Sequence, residues 1–360
     1  MKALTEVFRG WDRRLWAAGI ALVAVSGIAM ASAASTVNSV LAVRHVMWTA
    51  VGILLSVAVA NSSYRRWTDW AGLAYGASLV ALLVVLLAGA MRLGAARWLS
   101  LFGFSLQPSE LMKLATLLAL TRYLAGQPLP LPGRVVGVSA LLVGVPALLV
   151  FMQPDLGSAS VFMALWLGMI WVAGAPRRIV AGVLGAMLAL LPIAWHALKE
   201  YQRDRLLAFI NPHADPLGTG YTIIQSTIAI GAGRWWGRGW CAGTQNQLSF
   251  LPERHSDFIF SVIGEEWGFF GCLAVVALFI VLLTRVLRIA LEASDPQGRL
   301  LAAGVFAWLG YQAFVNMGMV MGVLPVVGVP LPLISYGGSS MVVIWAALGL
   351  LQNVHRSNRE

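Results

Sequence analysis

Leu251-Pro252-Glu253-Arg254-His255-Ser256-Asp257-Phe258-Ile259-Phe260 joins a polar loop crowded with ionisable groups to an apolar run that continues from Ile259 to Leu283. A run of roughly 20 apolar residues suffices to cross a hydrocarbon core, so this stretch puts Asp257 at the lip of a membrane. A carboxylate at such a boundary is a functional candidate, because burying the charge near acyl chains is costly. Composition agrees with a membrane setting: 59% of the 360 residues are hydrophobic, 11% are charged and the mean hydropathy is +0.78. A water-soluble domain is excluded on those values.

Working outward from that stretch, apolar segments lie near Leu15 to Ala34, Val46 to Ala60, Trp70 to Ala90, Leu111 to Leu124, Val135 to Phe151, Ser158 to Gly174, Ile179 to Leu198, Ile259 to Leu283, Leu300 to Leu324 and Ser340 to Leu351. They predict an all-α polytopic membrane protein of ten transmembrane helices, one membrane domain over residues 1–360. With both termini on the cytoplasmic side, fifteen of the 25 Lys and Arg fall on that side, among them Lys2, Arg9, Arg65, Arg177 and Arg285. The short outer loops then hold only Arg44, Arg92 and Arg97, the asymmetry of the positive-inside rule. The net charge of +10 is scattered singly and in pairs between apolar runs rather than gathered into a stripe, so no nucleic-acid partner is expected. Cys241 and Cys272 have no metal-ligand spacing around them and read as structural. Ala31-Ser32-Ala33 ends the first apolar segment like a signal-peptidase site, but the segment is longer than a signal core, and a retained anchor is expected.

One extracytoplasmic loop, about 199–256, between spans seven and eight, is far longer than a compact bundle needs. It opens with the charged stretch Lys199 to Arg205, turns at Asn211-Pro212 and Asp215-Pro216, and continues through Tyr221 to Ile230, which reads as an interfacial helix. The glycine-punctuated Gly231 to Gly239 follows. This loop brings Arg203, Arg205, Arg234, Arg238 and Arg254 to the side of Asp257. Guanidinium groups among glycines and tryptophans suit either a phosphate-bearing lipid substrate or, more simply, the anionic heads of bulk membrane lipids.

Three further stretches carry polar chemistry at membrane depth. In Gln107-Pro108-Ser109-Glu110-Leu111-Met112-Lys113 the proline starts a helix and Glu110 and Lys113 share a face; the pair is a structural salt bridge, a substrate contact, or both. In Gln153-Pro154-Asp155-Leu156-Gly157 the aspartate is a turn former or a second acid of the outer cavity. The run from Gly328 to Ser340 breaks the backbone with Pro330 and Pro332, which is tolerated inside a membrane only against protein or a watery cavity. Its Gly337-Gly338-Ser339-Ser340 either offers N–H groups to an anion or makes Ser339 a plain N-cap. Asp257 is expected to open the eighth helix, where the dipole lowers its pKa while a desolvated cleft raises it. Glu265 and Glu266, deeper on the same helix, read as polar contacts of the bundle interior.

With these stretches in hand, the chain resembles the SEDS family (RodA, FtsW and SpoVE), most closely its RodA members, over essentially all of its length. The landmarks are Gln107 to Glu110 with Lys113, Gln153 to Gly157, Leu251 to Glu253 with His255 and Asp257-Phe258, Gly264 to Glu266, and Pro332 with Ile334 to Ser340. Ser256 stands where the family usually has threonine, and keeps the hydroxyl. The resemblance implies a peptidoglycan glycosyltransferase that polymerises lipid II at the outer face of the bacterial inner membrane, releasing undecaprenyl diphosphate. It also implies a class B penicillin-binding protein as partner, a divalent cation (Mg or Mn), and a place in elongation and rod-shape maintenance. On that basis Asp257 is the expected general base or metal ligand, and Glu110, Lys113, Arg205, Arg254 and Ser339 are expected to bind substrate. The competing functions are a lipid II flippase and a non-catalytic activator of a penicillin-binding protein.

Overall fold

A computed structural model describes residues 10–35, 39–88, 90–92, 95–101 and 104–359; Lys2 and Arg9, counted above among the inner-face cations, lie outside them. Each of the ten apolar segments falls on a helix: α1 (Arg13–Ser35), α2 (Ser39–Ala60), then after the short α3 (Tyr64–Asp69), α4 (Ala71–Ala88), α5 (Pro108–Ala125), α6 (Gly133–Met152), α7 (Leu156–Val172) and α8 (Arg177–Ala197). The long outer segment carries α9 (Glu200–Ile210), α10 (Tyr221–Gly233) and the single turn α11 (Thr244–Gln247), and the last three segments are α12 (Ile259–Glu292), α13 (Pro296–Val320) and α14 (Gly338–Ser357). By length and composition, α1, α2, α6, α12 and α13 can each cross a membrane, and α4 and α7 are shorter apolar helices. The protein is therefore an all-α polytopic membrane protein.

Residues 90–106, expected as plain loop, instead contain an antiparallel ribbon of β1 (Ala90–Arg92), β2 (Ala95–Leu101) and β3 (Phe104–Leu106), with Leu99 opposite Leu106 and Ser100 opposite Ser105. Gly94 and Gly103 interrupt the segment, and the ribbon delivers the chain directly into Pro108, the first residue of α5.

The core is formed by α5, α7, α12, α13 and α14, and includes the fully buried Trp308 and Trp345. The inner end of the bundle is knitted by polar side chains: Asp12 pairs with Arg285, Gln352 Nε2 donates to Asp12 O at 3.0 Å, and Tyr64 Oη donates to Asp295 at 2.7 Å. By contrast α8 is exposed along almost all of its described length, an apolar helix with its side chains turned to lipid.

Two features refine the expected picture of the half of the bundle that carries the long loop. The Tyr221–Gly233 helix does not lie on the surface alone: its Ile223, Ser226, Ala229 and Gly233 face is buried, and Ser226 Oγ meets Ser261 Oγ of α12 at 2.8 Å. And α12 is not one continuous span, because Gly268 takes φ 68, ψ −160 and breaks it. The breakage leaves backbone groups that a low-dielectric interior cannot leave unpaired. The glycine-punctuated loop repairs them: Arg238 N and Gly239 N donate to Glu265 O and Glu266 O at 3.0 Å each, while Phe269 N and Phe270 N donate to Arg234 O and Trp235 O at 2.8 and 3.3 Å. A Cβ on Gly233 would strike Gly264 O, so backbone can reach backbone only because that side chain is missing.

Candidate active site

Asp257 lies in the turn before α12 rather than on the helix, whose first residue is Ile259 and whose N-cap position is Phe258. The expected dipole effect is thereby displaced from it. Burial in the cleft, followed by the negative charges of Glu253 and Asp155, pushes the Asp257 carboxyl up to about 6, against the pull of Arg205 and Arg97. The residue as a whole remains partly exposed, while its carboxyl is desolvated by burial. Gly328, at φ 73, lies against it: a Cβ there would stand 3.3 Å from Asp257 Oδ2. Glycine satisfies both demands, the positive φ and the close approach.

The other outer-end groups converge on this carboxylate from different elements. Asp155 caps α7 by accepting from Ser158 N at 3.0 Å, with Arg97 Nη1 3.9 Å away and Gln107 Nε2 at 3.5 Å. Asp155 is thus the N-cap that closes the turn into α7, and its charge also reaches the Asp257 carboxyl. Arg97, from β2, is oriented by Gln153 O at 3.0 Å and by Pro154 O. Arg205 is exposed on α9 and near enough for its charge to act on Asp257. Ser339 is not the N-cap of α14, a position held by Gly337; its Oγ accepts from Gln107 N at 3.0 Å and ties the start of α14 to the start of α5.

Three expected substrate contacts sit elsewhere. Arg254 is 2% exposed and its guanidinium donates to Ala33 O at 3.3 Å and to Asn246 O, so it anchors the loop to α1 and α11. Lys113 is wholly buried on α5, 2.7 Å from Glu110 Oε1 and 5.5 Å from the centre of the Trp308 ring. The Glu110–Lys113 pair thus lies further along α5 than Gln107 and is buried in the bundle. Glu265 and Glu266 behave as read from sequence. Glu265 accepts from Gln245 N at 2.9 Å and Asn246 N at 3.2 Å, and Glu266 accepts from Asn246 Nδ2 at 2.9 Å and from Ser32.

Sequence reading did not single out Arg97, Gln107, Asn316 or Ser335 as individual site groups. The last two hold the Asp257 turn by main-chain bonds: Ser335 Oγ donates to Ser256 O at 2.6 Å and Asn316 Nδ2 to Asp257 O at 2.9 Å. A polar residue in an apolar helix, as Asn316 is in α13, was the available signal. His255, in the same turn, stacks edge-on against Tyr336 with ring centroids 5.7 Å apart, and burial lowers its pKa.

A polytopic membrane protein with a partly exposed acid of raised pKa, within reach of the charges of two arginines, is the class that the fold and the site define. The chain belongs to the FtsW/RodA/SpoVE family: the family model, described as "Cell cycle protein", matches residues 13–360. It is 42% identical over 313 residues to the peptidoglycan glycosyltransferase MrdB of Escherichia coli K12, covering 87% of this chain and 85% of that one. It is 37% identical over 321 residues to the stage V sporulation protein E of Bacillus subtilis, covering 88% and 87%. Among solved structures it matches the rod shape determining protein RodA of Thermus thermophilus with a TM-score of 0.73 at 33% identity, over 97% of this chain and 98% of that one. A chain from the structure described as "Structural coordination of polymerization and crosslinking by a peptidoglycan synthase complex" gives a TM-score of 0.85 at 36% identity, over 97% and 99%.

Proposed function

We propose that this chain is a peptidoglycan glycosyltransferase that polymerises lipid II into β-1,4-linked glycan strands, with Asp257 as the general base. The observation that carries the reading is the Asp257 carboxyl itself, raised to about 6 on a residue that stays partly exposed in its turn. A carboxylate of ordinary pKa is a feeble base; at about 6 it remains mostly ionised at neutral pH and takes a proton more readily. Lipid II carries its sugar α-linked to diphosphate whereas the product is β-linked. A single displacement from the opposite face therefore accounts for the stereochemistry, and inversion needs one base and no covalent intermediate. The acceptor 4-hydroxyl gives its proton to Asp257 as its oxygen attacks the anomeric carbon, and the bond to undecaprenyl diphosphate breaks. Arg205 and Arg97, the two cations whose charges reach Asp257, offset the charge of the departing diphosphate.

Among the described residues no three Asp, Glu, His or Cys side chains cluster as an all-protein metal cage. A Mg-type ion needs no such cage, since one or two carboxylates and substrate phosphates suffice, and the mutual repulsion of Asp257, Glu253 and Asp155 fits a cation there. Asp257 would hold it, and when bound it would supply charge neutralisation to the diphosphate. The same reading puts the chain in the bacterial inner membrane with ten crossings and both termini in the cytoplasm, working beside a class B penicillin-binding protein that cross-links the strands in elongation.

Purified protein in lipid vesicles, supplied with lipid II, tests the activity. Glycan polymer is the expected product. Leaflet exchange of lipid II without polymer would make the chain a flippase, and neither polymer nor exchange would leave it an activator of its partner.

A further inference from the structure

We infer that Asn316 and Ser335 are the positioning residues that set where the Asp257 carboxylate stands, a role that rests on the reading of Asp257 as the base. The turn that carries Asp257 precedes α12, so its carbonyls have no helical partners and must be satisfied by other groups. Three successive carbonyls are taken by three different donors: His255 O by Tyr336 N at 2.9 Å, Ser256 O by Ser335 Oγ at 2.6 Å, and Asp257 O by Asn316 Nδ2 at 2.9 Å. Two of the three donors are side chains, and each of those also grips the strap that faces Asp257. Asn316 Nδ2 gives its second hydrogen to Val329 O at 2.7 Å, and Ser335 Oγ accepts from Leu331 N at 2.7 Å. Val329 directly follows Gly328, the residue against which Asp257 Oδ2 packs. One amide nitrogen on α13 therefore fixes both the main chain of the acid and the wall beside its carboxylate.

The chemistry selects these side chains. A primary amide is the only uncharged group that can donate two hydrogen bonds from one nitrogen, and Asn316 is completely buried where a cation would be costly. The serine hydroxyl donates and accepts at once, which neither Ala nor Val can do. Because catalysis by a fixed base falls by about 100-fold for a misplacement near 1 Å, releasing this clamp acts on the chemical step and leaves the substrate-binding groups Arg205 and Arg97 where they are.

The test uses full-length protein in vesicles with lipid II, and compares Asn316→Ala, Asn316→Asp, Ser335→Ala and Ser335→Thr. The expected result is a kcat lower by about 100-fold with KM unchanged in Asn316→Ala, Asn316→Asp and Ser335→Ala, and rescue in Ser335→Thr, which keeps the hydroxyl. Should the Asn316 variants fail to fold, Ser335→Ala against Ser335→Thr reads the same clamp from the strap side. A second readout does not depend on turnover. In a chain with Cys241 and Cys272 replaced by Ala, Asp257→Cys is labelled by a charged methanethiosulfonate reagent, and adding Ser335→Ala or Asn316→Ala is expected to change the labelling rate. An unchanged labelling rate overturns the clamp, as does wild-type kcat in the variants or a kcat loss that Ser335→Thr fails to rescue. Full activity in Asp257→Asn would instead overturn the base, and the labelling rates would still decide whether Asn316 and Ser335 set the position of residue 257.

Discussion

The break in α12 at Gly268 and the turn that carries Asp257 are two irregular stretches of the same outer half of the bundle, and they are repaired by different means. At Gly268 the orphaned groups are all met by backbone, from Arg234, Trp235, Arg238 and Gly239. That solution asks for missing side chains, at Gly233, Gly237 and Gly268, and for little else. At Asp257 two of the three carbonyl partners are side chains, Asn316 and Ser335. Backbone repair makes a rigid joint that is indifferent to most side-chain chemistry, whereas side-chain repair fixes one position and leaves the carboxylate between them facing the cleft. A joint of the first kind stabilises the fold; one of the second kind aims a functional group.

The contrast is sharpest at Asp257 itself. Asp257→Asn keeps the shape and removes the base, so polymer formation from lipid II should fall by about 10²- to 10⁴-fold, measured with folded protein. The sign of its pH dependence also follows. The folded pKa of about 6 exceeds the ordinary carboxyl value of 3.8, so the native state favours the protonated form. The stability that this contributes is lost as pH rises from about 3.8 to about 6. Melting profiles at pH 7.5 should therefore show Asp257→Asn at least as stable as the parent while inactive; a large drop in Tm would mean that the acid is a structural group like those at the break.

Gly268→Ala is the converse case. A Cβ at φ 68 would also collide with Gly237 N, and strain of this kind costs about 1–3 kcal/mol. Its Tm and folded yield should fall, while the protein that does fold keeps the parent's KM and the same acid limb in its pH–rate profile. A shifted limb with unchanged stability would erase the distinction between the two regions.

The smallest effect tests the electrostatics of the cleft. The charge of Glu253 raises the Asp257 pKa and that of Arg205 lowers it. The acid limb of kcat/KM should therefore move to lower pH in Glu253→Gln and to higher pH in Arg205→Gln. Superimposable profiles for both variants and the parent would show that some group other than Asp257 titrates in that limb.

Much of this was legible in the linear chain. The apolar runs mark every long helix, and the placement of Asp257 before Ile259 marks the outer acid, because helix length and charge burial are local demands that each segment must meet for itself. Glu265 and Glu266 were read as interior contacts for the same reason. Arg254 reads from sequence as a ligand for phosphate because it shares its loop with other arginines among glycines and tryptophans. Only the path of the loop back to Ala33 and Asn246 turns its guanidinium inward. Asn316 went unnoticed because its partners, Asp257 and Val329, are 59 and 13 residues away, and nothing near it in the chain announces them.

Sequence by itself determined the solvent of this protein, the extent of its helices and the residue types available to act at its outer face, since those follow from transfer free energies paid residue by residue. Tertiary structure alone decided which of those residues meet. Asp155, Glu253, Arg97 and Arg205 tune one carboxylate because the fold brings the turn before α7, β2 and α9 to the turn that carries Glu253 and Asp257. How deeply the fold buries an acid, and then which charges it sets beside it, shift its pKa from the ordinary value, and neither can be read from the residue alone.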